Sequence, residues 1–404
     1  MRALLTNHFP LEGSGSGIYT QNVARELTQK DHEALVITPA HEEQSGFPFG
    51  VRSILFTPDG QVEDDKNAGE RLPFNFPCFT THPLSTTTYG DLSSDQREAY
   101  VEAFCRATAK AVVEWKPDVI HAQHLWVTGY AAHATGLPYI ATAHGTDLMG
   151  MRKYDAWRPI ALEGTEHAFA IIAISKQVAE DTMHLYEVPK ERIRLIQNGF
   201  DESIFRVIPI ERKETLAKFG IQGDFDFIVS FVGKLTEFKG VDILLDAAAK
   251  YENDLGDVLT LIVGNGELRD PLENQAHELG LKGVRFLGHQ PQPDVAVIFN
   301  LADLSVVPSR VEPFGLVAVE AMACGTPVVA TNEGGLPDFV HEGVGRLVNV
   351  ADSDGLAEAI VSELRSEAKK SKGPSAAKYA LESFSWSGQV DQMIAVYDEA
   401  LQKR

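Results

Sequence analysis

Two glutamates, Glu312 and Glu320, stand eight positions apart, with an apolar, alanine-rich segment between them. That segment favours a helix. Pro313 suits a first helical turn, where its missing N–H costs nothing. Gly325 and Pro327 end the helix, and Pro327-Val-Val-Ala330 reads as a buried strand. On one helix, eight residues at 100° each place the carboxylates about 80° apart around the axis and roughly 12 Å apart along it. A hydrolytic pair works at about 5–9.5 Å, so these two cannot act on one atom. They can grip the two ends of an extended ligand, with a helix N-terminus aimed at an anion between them. A nucleotide sugar has that shape: sugar, diphosphate, ribose.

Two lysines supply the matching charge. Lys234 and Lys239 lie in Gly233-Lys-Leu-Thr-Glu-Phe-Lys-Gly240, between a strand from Phe227 and a helix from Val241 to Tyr251. N–H groups, a helix dipole and two ammonium groups make a phosphate cradle. The strand from Leu259 ends in the tight turn Gly264-Asn265-Gly266-Glu267, where backbone can meet a flat base. Another strand, Val284 to Gly288, contains Leu287. In the N-terminal half, Gly13-Ser14-Gly15-Ser16-Gly17 separates a strand at 3–7 from an amphipathic helix, Ile18 to Lys30. Glycines there let backbone approach a ligand. The spacing is not the dinucleotide fingerprint, and no acid follows the second strand to hold a ribose. His144 follows a strand from Leu137 and is placed for a substrate hydroxyl. Asp147 reads equally as a helix cap. His121 and His124 flank another strand end and read as hydrogen-bonded structure. No acid or cysteine completes a metal set with them, so no metal is expected.

The elements that must position these groups are strand–loop–helix units occurring in two series. With 404 residues, they imply two α/β domains. Asn198-Gly199-Phe200-Asp201 is a turn, and the polar stretch to about 215 suits a linker. Residues 41–95 read as loops with a hairpin and carry no assignable chemistry. The net charge is −21 (36 basic, 57 acidic residues). A nucleic-acid binder needs a basic stripe, and anionic membranes would repel such a chain. No apolar run reaches 18 residues, and the N-terminus reads as a strand, not a signal peptide. Cys78, Cys105 and Cys324 have no ligand spacing, which points to a reduced, cytoplasmic protein.

The chain resembles the retaining glycosyltransferases of family 4, over nearly its whole length. The resemblance rests on the Gly-Ser-Gly-Ser-Gly loop, Ala143-His144-Gly145, Asn198-Gly-Phe-Asp, Gly233-Lys234 with Lys239-Gly240, and Gly264-Asn-Gly-Glu267. It extends to Phe286-Leu-Gly, Glu312 and Glu320 in their setting, Gly-Thr-Pro-Val-Val-Ala, and Phe384-Ser-Trp386. It implies the GT-B fold: two facing Rossmann-like domains with a cleft between them and a C-terminal helix crossing back. The domains would be 1–205 with 384–404 on the acceptor side, and 206–383 for the donor.

The implied roles follow residue by residue. Glu312 would hold donor-sugar hydroxyls, and Glu320 the ribose hydroxyls. Lys234 and Lys239 would neutralise the diphosphate, helped by N–H groups of Phe314, Gly315 and Leu316. His144 would lie near the reacting carbon. Gly15, Ser16 and Gly17 would close on the phosphates. Backbone at Gly233, Gly264, Asn265 and Leu287 would hold the nucleotide. Lys234 departs from the family's usual arginine and gives up a bidentate contact. The expected activity is metal-independent, retaining transfer from a UDP-sugar to a soluble or small-molecule acceptor, with no cofactor and no nucleic-acid or integral-membrane partner. The alternatives are a sugar-nucleotide epimerase, a phosphorylase-like enzyme, or a non-catalytic nucleotide-sugar-binding module.

Overall fold

The computed structural model describes residues 1–57, 70–79 and 82–403. They divide into two compact units. The first holds residues up to Gln197 and the stretch from Gln389 onward; the second is Asn198–Gly388.

Short apolar runs set between helices and loops specify parallel strands, most of them buried on both faces. The first unit arranges eight of them: β1 (Arg2–Thr6), β2 (Glu33–Ala40), β3 (Gly50–Phe56), β4 (Arg71–Leu72), β5 (Val119–Gln123), β6 (Tyr139–Ala143), β7 (Ala170–Ala173) and β8 (Ile193–Leu195). Their order is β4-β3-β2-β1-β5-β6-β7-β8, every pairing parallel. The second unit has β9 (Phe227–Val232), β10 (Val258–Val263), β11 (Val284–Gly288), β12 (Leu304–Val307), β13 (Val328–Thr331) and β14 (Gly345–Val348). Their order is β11-β10-β9-β12-β13-β14, again all parallel. In each sheet the chain reverses its direction of travel once, between β1 and β5 and between β9 and β12. Open α/β sheets bind ligands outside the strand C-termini at such switch points.

Two local expectations are corrected. Residues 41–95 are not merely loops. They contain β3, whose register with β2 runs from Leu35 opposite Gly50 to Ala40 opposite Leu55. Its Ser53-Ile-Leu-Phe56 end is buried, but Pro, Gly and Thr around it hide the strand from a reading by composition. The hairpin there amounts to one antiparallel bridge, His82 with Ser85. Residues 58–69, 80 and 81 of that stretch lie outside the described residues. The glycine-rich segment is also less open than expected. The helix starts at Gly15, not Ile18, and Ser14 caps it by accepting from the Gly17 N–H at 3.0 Å. A Cβ at Gly17 would strike the Pro10 carbonyl oxygen, so glycine there serves close packing.

The last helix, Trp386–Gln402, enters the first unit from Gln389 onward. Val390, Met393 and Tyr397 are buried there. The Tyr397 hydroxyl meets His121 Nδ1 at 2.7 Å, and Thr142 Oγ1 meets His121 Nε2 at 2.7 Å. Both ring nitrogens are thereby satisfied, and burial pushes the His121 pKa down to about 3. Unfolding lets that imidazole take up a proton below its ordinary value near 6.5. Its contribution is therefore complete above pH 7 and lost on acidification. The loss should reach roughly 2 kcal/mol at pH 5. Chemical denaturation at pH 7.5 and pH 5 should show a larger drop for the wild type than for His121→Asn; equal drops would contradict a neutral buried His121.

Candidate active site

The loops after β9 and β12 carry the charges. Thr236 to Gly240 form a tight turn, with Glu237–Lys239 in a short 3-10 helix, and the helix Val241–Leu255 follows. This brings the Lys239 ammonium to 2.7 Å from Glu312 Oε2. Ser309 Oγ donates to the same oxygen at 3.1 Å. Glu312 is buried, and Lys239 is partly exposed. Lys234 is exposed and has no charged partner among the described residues. The two lysines of this loop thus differ: Lys239 is paired with a carboxylate but keeps part of its surface exposed, whereas Lys234 has no charged partner among the described residues.

The expected single helix from Glu312 to Glu320 is not present. Residues 312–315 are a loop, and the helix is Leu316–Ala323. Gly315 stands at its N-cap with φ of 100°, a left-handed conformation that ends any helical continuation towards Glu312. The angular and axial estimate for the two carboxylates therefore does not apply. The loop has its own cause. Gly335 N–H donates to the Glu312 carbonyl at 2.9 Å, and a Cβ on Gly334 (φ 57°) would strike that same carbonyl oxygen. The Gly334-Gly335 pair after β13 is the sequence signal that marks this contact, and sequence reasoning missed its role along with that of Ser309.

The N–H groups of Phe314, Gly315 and Leu316 have no hydrogen-bond acceptor among the described residues. They sit at a helix start, where unpaired donors and the dipole favour an anion. The Phe314 ring packs against Phe339 and Phe384 and fixes the turn from below. Glu320 is buried, and no described group hydrogen-bonds its carboxylate. Burial alone raises its pKa to about 8. Such a carboxyl is costly unless a hydroxyl or other donor comes to it.

Gly233 and Gly264 pack backbone on backbone. The Gly233 N–H donates to the Val263 carbonyl at 3.0 Å, and a Cβ on Gly264 (φ 135°) would strike the Gly233 carbonyl oxygen. The Asn265 carbonyl accepts from the Leu235 N–H at 3.0 Å, and its side chain accepts from Arg269 at 2.9 Å. The Leu287 carbonyl is already engaged by Gln290 at 2.8 Å.

In the first unit, His144 follows β6. Its Nε2 meets Gln123 Oε1 at 2.9 Å, and its ring packs edge-on against Tyr19 of the Gly15–Gln29 helix, 4.8 Å between centroids. Burial is the main cause that keeps its pKa well below the ordinary histidine value, so the ring is neutral near pH 7. Asp147 is not the helix N-cap, which is Gly145. Its buried carboxylate accepts from the N–H groups of His144 at 3.1 Å and Leu125 at 3.3 Å, tying the loops after β5 and β6 together. Gln123 and Tyr19 were not anticipated. Nothing in their local sequence separates them from ordinary strand and helix residues.

Matches to known proteins decide the family. Residues 13–204 match the model described as Glycosyltransferase Family 4, and residues 211–380 that described as Glycosyl transferases group 1. The D-inositol 3-phosphate glycosyltransferase 1 of Catenulispora acidiphila is 35% identical over 308 residues, covering 70% of this chain and 73% of its own. The chain belongs to glycosyltransferase family 4. An uncharacterized glycosyltransferase of Methanocaldococcus jannaschii is 31% identical, covering 71% of this chain and 76% of its own. Among solved structures, sucrose-phosphate synthase of Thermosynechococcus elongatus superposes with a TM-score of 0.76 at 23% identity over all of both chains. HepE of Anabaena, solved with UDP and glucose, gives 0.75 at 23% identity over 99% of this chain and 100% of its own. The fold of this glycosyltransferase is GT-B, and the two sheets above are its Rossmann-like halves.

The glycosyltransferase site should depend on the Gly334 contact. Gly334→Ala combines a disfavoured backbone conformation with a backbone clash, and should destabilise the second unit by on the order of 3 kcal/mol. Urea denaturation checks this; an unchanged midpoint would mean that the Glu312 loop moves aside freely.

Proposed function

We propose that this glycosyltransferase moves a sugar from a nucleoside diphosphate sugar, with uridine as the base, to a hydroxyl of a soluble or small-molecule acceptor, retaining the anomeric configuration and needing no divalent metal. The observation that carries the reading is the set of unmet groups at the β9/β12 switch point: a buried Glu320 without a partner, three free N–H groups at 314–316, and an unpaired Lys234 beside the Lys239–Glu312 ion pair.

Each unmet group matches one part of the donor. Glu320 accepts from the ribose hydroxyls, and Glu312, held by Lys239 and Ser309, accepts from sugar hydroxyls. Lys234, Lys239 and the free N–H groups face the diphosphate. As the C1–oxygen bond breaks, its electron pair goes to the diphosphate, whose growing charge these groups stabilise more than they do in the ground state. The acceptor oxygen bonds to C1 on the face the diphosphate leaves, and its proton passes to the departing phosphate oxygen. His144, neutral and held by Gln123, offers a hydrogen bond to the donor sugar. Two lysines and a helix start supply the charge neutralisation that a metal would otherwise give. Uridine is supported by HepE, whose structures are described with UDP and UDP-glucose. Three free cysteines suit a reducing cytoplasm.

Thermal denaturation with UDP, GDP or ADP, each with magnesium or a chelator, tests the reading. At 100 times its Kd a nucleotide should add about 2.7 kcal/mol to folded stability. UDP should give the shift with chelator present, the shift should grow from pH 7 to 8.5 as Glu320 ionises, and Glu320→Gln should remove that growth. A shift only with magnesium would overturn metal independence, and no shift with any nucleotide would overturn the donor site.

Lys239→Ala should lower kcat by on the order of a hundredfold, more than it changes acceptor KM. Steady-state kinetics at saturating donor check this. An unchanged kcat would remove Lys239 from the leaving-group role.

A further inference from the structure

The two loops that carry the donor-site charges are fastened together on both sides of Lys239. On one side, a Cβ on Gly240 (φ 64°) would strike the Pro308 carbonyl oxygen, so the start of the Val241–Leu255 helix lies directly on the residue after β12. On the other, the Phe238 carbonyl accepts from the N–H groups of Arg310 at 2.7 Å and Val311 at 3.3 Å. The Arg310 side chain adds a third fastening. Its Nη1 donates to the Glu237 carbonyl at 3.0 Å and to Asp242 Oδ1 at 2.7 Å, and its Nη2 donates to Asp242 Oδ2 at 2.5 Å. One guanidinium thus holds the first residue of the 3-10 turn that ends in Lys239 and the first turn of the helix that follows. In the chain, Arg310 stands between Ser309 and Glu312, whose side chains meet at the oxygen that also takes Lys239.

Folding stability alone gives little reason for this guanidinium. The Arg310 and Asp242 side chains are 26% and 37% exposed, and ion pairs that reach water add little to folding. What a planar fork does supply is direction: three bonds in fixed geometry to two pieces of backbone that must not drift apart. It also supplies charge in a place that matters. Asp242 lies three positions after Lys239, at a helix start where the dipole favours an anion. A bare carboxylate there would compete with Glu312 for the Lys239 ammonium and would repel an incoming diphosphate. Paired bidentately with Arg310, it does neither.

We infer that Arg310 is a positioning residue for the transfer: its guanidinium locks the Lys239 loop to the Glu312 loop and cancels Asp242, so that the ammonium and the carboxylate meet the donor in register. The inference rests on the donor reading proposed above. Arg310 touches no part of the donor in this scheme, since its fork is fully used by Asp242 and Glu237. It acts through Lys239, whose charge must be in place when the sugar–phosphate bond breaks. Displacements of an ångström in such groups cost far more in rate than in folding.

The test compares the full chain with Arg310→Ala, which removes the guanidinium and leaves the backbone bond to Phe238 in place. The first readout needs neither donor nor acceptor: the rate at which acetic anhydride acetylates Lys239, followed by peptide mass spectrometry. Lys372, paired with the buried Glu363 in the same unit, is the internal control for folding. Acetylation of Lys239 should rise about fivefold or more in the variant while that of Lys372 stays unchanged. The second readout is UDP release from UDP-glucose with water as acceptor. Its kcat should fall on the order of a hundredfold, more than KM for UDP-glucose rises. Guanidinium chloride below denaturing concentration should restore both readouts; equal recovery with sodium chloride would show charge screening alone and overturn the inference. An unchanged Lys239 rate overturns it too, and so does a rise at Lys239 and Lys372 together, which would make Arg310 a folding residue. Arg310→Lys keeps the charge without the fork and should show the same changes in smaller degree; wild-type behaviour there overturns the role of the fork, and this variant serves where Arg310→Ala fails to fold. A wild type that neither binds UDP nor releases it from UDP-glucose counts against the donor reading, and the acetylation rates then decide the brace by themselves.

Discussion

Backbone lying directly on backbone is the constraint on which the donor half of the molecule depends. The loop after β9 touches the loop after β10 through Gly233 and Gly264, and the loop after β12 touches the turn after β13 through Glu312 and Gly334. No side chain fits in either contact. The loops therefore cannot be set independently, and the Glu312 carboxylate and the N–H groups of 314–316 hold their places because a neighbouring turn holds their backbone. Such preorganisation is what electrostatic catalysis requires, since groups that need not move at the transition state cost nothing to reorganise.

Within that frame the charges are unevenly satisfied. Glu312 has both Lys239 and Ser309, whereas Glu320 has neither a cation nor a hydrogen bond, and its pKa near 8 follows from that isolation. The proposed donor would meet both, its ribose hydroxyls at Glu320 and its diphosphate at Lys234. A buried carboxyl left without a donor is costly to folding, a pattern common where binding rather than folding is served.

The first unit meets a related problem among its histidines. His121 is fully paired and braces the last helix through Tyr397, while His8 and His124 keep nitrogens unmet at the switch point. Histidines of similar burial thus divide into one that is fully paired and two that are partly or wholly unpaired among the described residues. Asp147 explains part of the order: by holding the His144 and Leu125 N–H groups it fixes two strand ends together.

The sequence by itself determined the two α/β halves, the family, and the identity of the charged groups, because these rest on apolar runs, glycine positions and lysine and glutamate residues that local chemistry makes legible. It did not reveal β3, because its surroundings are rich in turn residues and its place depends on pairing with β2. It suggested one helix through Glu312 and Glu320, since alanine-rich propensity is a local property, whereas Gly315 and the Gly334 contact that break it lie in the loop geometry and in a turn some twenty residues on. Ser309 as a partner of Glu312, Gln123 as the holder of His144, and the gathering of Thr6, His8, Gln123 and His124 were decided only by the tertiary structure. The physical reason is that partners come from loop geometry and sheet order: a loop turns Ser309 onto Glu312 three positions on, and parallel pairing sets side by side residues 21 positions apart, as Gln123 and His144, or more than a hundred apart, as Thr6 and Ala122.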